Sequence, residues 1–168
     1  TLDELLALEL SNGTVSQLIT DKIGATGEKM ELGFYEHLTA PYVTSYIHMG
    51  NKLATIVGFN KVVADEQVAR DIAMQVAAMN PIAVTPEGIP AEVKEKELEI
   101  ARDKAREAGK PENLLDRIAE GALQKFYKES TLLQQEYVKD GKKTIEQFLK
   151  ENDKELSVTM FKRVSLNV

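Results

Sequence analysis

The chain has 168 residues, a formal net charge of −6, an apolar share of 43 % and no cysteine. That apolar share can build a real core, while the missing cysteine excludes disulfides, thiolate metal sites and a cysteine nucleophile, and the acidic balance argues against a broad nucleic-acid footprint, which needs clustered Lys and Arg. No run reaches the roughly 18 consecutive apolar residues a membrane helix requires and no signal-like segment opens the chain, so a soluble, cytoplasmic protein is expected.

Residues 1–90 read as α+β. The chain starts without Met inside an apolar pattern (Leu2, Leu5, Leu6), which reads as a cut or processed fragment. Leu2 to Leu8 is a short helix or the tail of a missing element. Asn12-Gly13 signals a turn. Thr14 then caps a helix carrying Val15, Leu18 and Ile19, broken by Ile23-Gly24 and Gly27. Three β-like runs follow. Met30, Leu32 and Phe34 alternate with Glu31, Gly33 and Tyr35. Tyr42 to His48 is rich in β-branched and aromatic residues, and Leu53 to Phe59 is more uniformly apolar, as a central strand would be. Met49-Gly50-Asn51-Lys52 reads as a tight hairpin turn, because Gly and Asn tolerate positive φ. From Ala64 to Pro81, Val68, Ile72, Val76 and Met79 recur at helical spacing. Ala69, Ala73, Ala77 and Ala78 flank that stripe and allow close approach, and Pro81 ends the helix. The expected unit is a small antiparallel sheet of three or four strands with this helix across one face.

Residues 91–130 change character. Charge is dense and balanced, and aromatics are absent until Phe126. Two helices are separated by Ala108-Gly109-Lys110-Pro111, where Gly ends one and Pro starts the next. The second carries the broader stripe, through Leu114/Leu115, Ile118/Ala119, Ala122/Leu123 and Phe126. The pair predicts a projecting antiparallel helical hairpin, coiled-coil-like, which is either a solvated arm or a dimerisation or partner arm that uses Leu115, Ile118, Ala122 and Phe126.

Residues 131–168 return to α+β. Lys139-Asp-Gly-Lys142 is a turn. Thr144 caps a helix over Ile145–Asn152 with Ile145, Phe148 and Leu149 on one side. Leu156, Val158, Met160, Phe161, Val164 and Leu166 make a final strand with one out-of-phase pair at Met160-Phe161. Thr14–Ile19 faintly echoes Thr144–Leu149, which two independent capped helices explain more simply than a repeat.

The catalytic inventory is thin. The chain has two histidines, His37 and His48, and no paired His or Glu at helical spacing, so neither a metal site nor a cofactor is expected. Gly141-Lys-Lys-Thr144 fails as a phosphate loop, since Glu136 replaces the first Gly and Thr does not directly follow the first Lys. Ile23 to Gly27 follows a helix rather than a strand, which speaks against dinucleotide binding. Paired carboxylates such as Glu95/Glu99 or Asp116/Glu120 fit solvated helix faces. No active site is expected, and the chain is read as non-enzymatic.

Several segments resemble bacterial elongation factor Ts in order and spacing. They are Asp21-Lys-Ile-Gly24, Tyr46-Ile-His-Met-Gly50, the Asp71–Pro81 helix, Ala91 to Glu97, Gly109-Lys-Pro-Glu112, Glu120-Gly121, Lys125-Phe126, and Lys143-Thr144 followed by Phe148-Leu149. The resemblance implies a guanine nucleotide exchange factor that binds elongation factor Tu. It implies that this chain is the family's second core subdomain, with the helical hairpin inserted at 91–130 as a dimerisation arm. It also assigns the partner contacts to Ile23, Gly24, His48 and Val138. Each has a plainer explanation: Ile23 and Gly24 as a helix end, His48 as a turn residue, Val138 as a core residue. The family's Thr-Asp-Phe-Val segment, which disturbs the partner's nucleotide and magnesium site, has no counterpart here. His48-Met-Gly50 is also one residue longer than the family's His-Gly. A chain so composed would dock on its partner without displacing the nucleotide. The alternative is a non-catalytic helical-arm module unrelated to translation.

Overall fold

A computed structural model describes residues 1–166, which form two compact units, 1–37 and 38–166. In the first unit, α1 (Leu2–Ala7) leads to a minimal hairpin of β1 (Glu9–Leu10) and β2 (Gly13–Thr14), turned at Gly13 with φ 111°. Helix α2 (Val15–Thr26) follows, with the Thr14 hydroxyl accepting from Gln17 N and Gly27 closing the helix in the left-handed region at φ 72°. The helix therefore runs through Ile23-Gly24 instead of breaking there. An interior Gly costs only about 1 kcal/mol relative to Ala, and the firm caps outweigh it. None of the buried core residues lies in this unit.

The strand expected over Met30 to Tyr35 does not form. Met30 and Leu32 instead line a hollow with Val15, Leu18 and Ile19 of α2, so their apolar surface is used by a helix rather than by a ladder.

The second unit is built on a three-stranded antiparallel sheet in the order β3 (Tyr42–Ile47), β4 (Leu53–Phe59), β7 (Val158–Ser165). The β3–β4 turn has Gly50 and Asn51 at positive φ, 90° and 57°, as their residue types suggested. The odd phase of the last strand has a definite cause. Phe59 pairs with Val158 and Gly58 with Met160, so Thr159 is an extra residue, a bulge that lets Val158 and Phe161 both face the core.

Helix α3 (Glu66–Met79) crosses the inner face of the sheet. Asp65 caps its start and Asn80, at φ 45°, its end. Val68, Ala69, Ile72, Ala73, Val76 and Ala77 are buried, and the alanines let β4 approach so closely that the buried Thr55 hydroxyl donates to Ala73 O at 2.8 Å. Met79, expected on the same stripe, is largely exposed in the last turn. Val57, Phe59, Leu132, Tyr137, Ile145, Leu149, Leu156 and Val158 complete the core.

Two helices, α4 (Ala91–Glu107) and α5 (Glu112–Ser130), form the antiparallel arm. Ala105, Leu115 and Ala119 are its buried residues. Arg102 reaches across to Asp116 at 2.8 Å and Arg106 to Glu112 at 2.9 Å. At the root the chain enters and leaves side by side: Ala83 and Thr131 form a parallel bridge, Ile82 N donates to Ser130 O, and Leu132 N and Leu133 N donate to Ala83 O and Val84 O. Beyond the root, β5 (Glu136–Tyr137) and β6 (Asp140–Thr144) make a short hairpin where only a turn was expected, and α6 (Ile145–Asn152) follows with a capping box between Thr144 and Gln147.

Candidate partner-binding site

The four expected contact residues occupy three different elements. Ile23 is half-buried and Gly24 exposed on α2, where a methyl group added to Gly24 would meet nothing within 4 Å. His48 is exposed just past β3; its Nδ1 lies 3.0 Å from the Tyr46 hydroxyl, and its backbone N–H donates to Leu53 O at the mouth of the hairpin. Val138 does not tuck into the core. It stands at the tip of the β5–β6 turn with 45 % of its surface open.

The setting of Val138 is the most built feature of the surface. From α3, Asp71 and Gln75 point toward the β5–β6 hairpin although both are buried, Asp71 at 7 % exposure. Asp71 Oδ2 accepts from the Tyr137 hydroxyl at 2.6 Å, and Asp71 Oδ1 accepts from Lys139 Nζ at 2.7 Å and from Gln67 Nε2 at 2.6 Å. Gln75 Oε1 accepts from Val138 N at 2.9 Å, while Gln75 Nε2 donates to Glu136 O at 3.0 Å and to Gln135 Oε1. Gln135, buried as well, donates to Glu129 O and Met79 O, tying the ends of α5 and α3 to the same hairpin. The Tyr137 ring stacks on Phe148 of α6 at 4.3 Å. Among the described residues, no buried side-chain polar atom lacks a partner.

Burial pushes the Asp71 carboxyl upward, but the hydrogen bonds from Lys139, Tyr137 and Gln67 outweigh it and hold the group below its ordinary range. The Tyr137 hydroxyl is pushed well up, by burial first and then by its bond to the Asp71 carboxylate. Asp71 is thus anionic and Tyr137 neutral under ordinary conditions. Sequence reasoning quoted the 71–81 helix but missed these roles. The available signal was Gln67, Asp71 and Gln75 at steps of four, a polar row on a helix whose other inward positions are apolar.

The arm residues divide. Leu115 is 3 % exposed, inside the seam of α4 and α5. Ile118, at 36 % exposure, and Ala122 line an open groove with Ile100, Ala101 and Lys104. Phe126 is half-buried beside Tyr127, at 6.4 Å between ring centres. A hollow of about 750 Å³ lies open along β6 and α6 and is lined by Lys142, Lys143, Gln147, Lys150, Glu151 and Lys154. Lys143 is held by Glu151 and Lys150 by Glu146, an ordinary solvated charge pattern. Among the described residues, no three His, Cys, Asp or Glu converge to hold a metal, and no helix is long and apolar enough to cross a membrane.

The model of the family "Elongation factor TS" matches residues 1–167. Proteins named elongation factor Ts are similar throughout. That of Porphyromonas gingivalis is 62 % identical over 166 residues, covering 98 % of this chain and 60 % of its own length. That of Azobacteroides pseudotrichonymphae is 54 % identical over 168 residues, 100 % of this chain and 61 % of its own, and that of Christiangramia forsetii is 45 % identical over 165 residues, 98 % and 60 %. The chain therefore spans about 60 % of the length of these relatives. Matched by the family model over residues 1–167, and carrying in α3 most of the Asp71–Pro81 segment that the resemblance turned on, this chain belongs to the elongation factor Ts family.

Proposed function

We propose that this chain is a docking portion of a cytoplasmic guanine nucleotide exchange factor that acts on elongation factor Tu. The observation that carries the reading is the family match along nearly the whole chain. The exposed, backbone-clamped Val138 supports it as the anchor of the contact, with His48, Ile23 and Gly24 as further contacts. Residues 1–90 and 131–168 are read as one core subdomain with the arm inserted at 91–130. The pairing of β4 with β7 across that insertion supports this for residues 38–90, while residues 1–37 form a compact unit of their own.

The mechanism is a shift of equilibrium without bond chemistry, so the chain is not an enzyme in the usual sense. A factor that binds the nucleotide-free partner more tightly must itself be bound more weakly once nucleotide returns, by the same factor. The chain lacks the Thr-Asp-Phe-Val segment, so its share is affinity. In a release assay with fluorescent GDP, the chain is expected to bind elongation factor Tu without accelerating GDP loss. A release rate matching that of a complete factor would overturn this division of labour. The arm is read as a self-association surface on the side of Ile118 and Ala122. The open groove they share with Ile100 and Ala101 favours that side, with Leu115 supporting it from within. If Ile118→Asp leaves the mass measured by light scattering unchanged, the arm is not the dimer contact.

A further inference from the structure

We propose that Asp71, Gln75 and Tyr137 are positioning residues that fix the β5–β6 turn so that Val138 meets the protein partner in a single prearranged conformation. The proposal rests on the reading of Val138 as a partner contact.

The hairpin cannot hold this turn by itself. Tyr137 pairs with Asp140 and Glu136 with Thr144, so residues 141–143 bulge out of the ladder, and among the described residues the only further backbone bond of this register joins Ile145 N to Gln135 O at the base, away from the tip. Val138 and Lys139 form a two-residue connection. Such connections normally adopt turns with positive φ, which match the twist of the strands; neither residue has positive φ. What fixes the turn is side chains from α3. Gln75 takes the Val138 N–H, and Asp71 holds Tyr137 before the tip and Lys139 after it. Every residue of the segment 136–139 is thereby bonded to α3 through its backbone or side chain.

Core stability alone does not call for this arrangement. A buried ionic cluster is commonly matched or surpassed by well-packed apolar residues of similar volume. Three polar side chains converge here on the support of one exposed apolar residue. Holding a contact residue in its bound conformation beforehand removes ordering cost from association. This is what a clamp around Val138 would accomplish, and it leaves the valine itself uncovered.

The test is a double-mutant cycle on this chain, read as the dissociation constant for nucleotide-free elongation factor Tu, with near-ultraviolet circular dichroism as the check on folding. Val138→Ala is expected to weaken binding about tenfold, the size of a moderate anchor truncation. Tyr137→Phe keeps the stack on Phe148 but removes the bond to Asp71 Oδ2, and Asp71→Asn removes the charge; each is expected to weaken binding about three- to tenfold by loosening the turn. In the Val138→Ala background neither should weaken it further. A role in general stability would instead give the same loss in both backgrounds, because independent effects add. If Asp71→Asn fails to fold, Tyr137→Phe decides. If Val138→Ala weakens binding but Tyr137→Phe does not, or the two losses add, the positioning role is overturned and the docking reading stands. If Val138→Ala binds like the parent chain, the docking assignment of Val138 falls and the proposal with it.

Discussion

Asp71 concentrates at one carboxylate what a single residue contributes to this fold. Asp71→Asn removes charge-assisted bonds from Tyr137 and Lys139, and about 1–3 kcal/mol of destabilisation is expected from urea unfolding at about pH 7. The pH dependence has a definite sign. The folded carboxyl lies below its ordinary value of 3.8, so the unfolded chain binds more protons in acid. The stabilisation is complete above that ordinary value and fades as pH falls through the folded one. The gap between parent and Asp71→Asn should therefore close in acid. A gap that stays constant down to about pH 2 would contradict the ion-paired state. Gly58 presents a different constraint. A Cβ there would lie 2.7 Å from Leu38 Cδ2 and 2.8 Å from Ala40 Cβ, where the 38–40 segment crosses the outer face of the sheet. The leucine tip can swing away but the alanine cannot. Gly58→Ala should cost about 1–3 kcal/mol through overpacking, measurable as a lowered urea midpoint.

At the scale of elements, legibility followed how locally each one is determined. Helices α4 and α5 were plain because Gly109 and Pro111 punctuate a helical period, and α6 was plain because Thr144 and Gln147 make a reciprocal cap. Strands β3 and β4 were legible from β-branched and aromatic density and from Gly50-Asn51 between them. The β5–β6 hairpin was not, since Lys139-Asp-Gly-Lys142 carries turn chemistry and its pairing depends on Asp71 and Gln75, some 60 residues earlier. The alternation at Met30–Phe34 misled for the converse reason. Alternation offers a strand two faces, but it guarantees no partner edge, and α2 took Met30 and Leu32 first. Of the proposed contact residues, the exposure of His48 could be anticipated from its turn; that of Val138 could not, because its support comes from another element. The arm is locally determined too, held by its own seam and cross-helix ion pairs. Leu115→Ala is expected to cost about 2–5 kcal/mol within the arm. In hydrogen exchange it should speed exchange of α4 and α5 amides while leaving α3 protected; equal acceleration in α3 would mean that arm and core unfold together.

At the scale of the molecule, buried side chains are distributed unevenly. The core lies wholly within residues 38–166, whereas residues 1–37 carry caps and a small apolar hollow but no fully buried side chain. Between α2 and β3 the chain has no regular backbone ladder and is mostly exposed. Limited proteolysis should cut between residues 27 and 41 first, since exposed irregular backbone is the preferred site of nicking. The C-terminal product should keep the near-ultraviolet signal of the core. First cleavage inside α3 or β4 would show that the two units do not differ in this way.

The side-by-side entry and exit at Ala83 and Thr131 set the arm apart from the rest of the second unit. A segment whose two ends are already stitched together can be shortened, extended or exchanged without asking the sheet to move, because the closure is made at the base whatever lies beyond it. Doubling the excursion would change the closure entropy by only about 0.6 kcal/mol. The length of the branch is thereby separated from the shape of the platform beneath it.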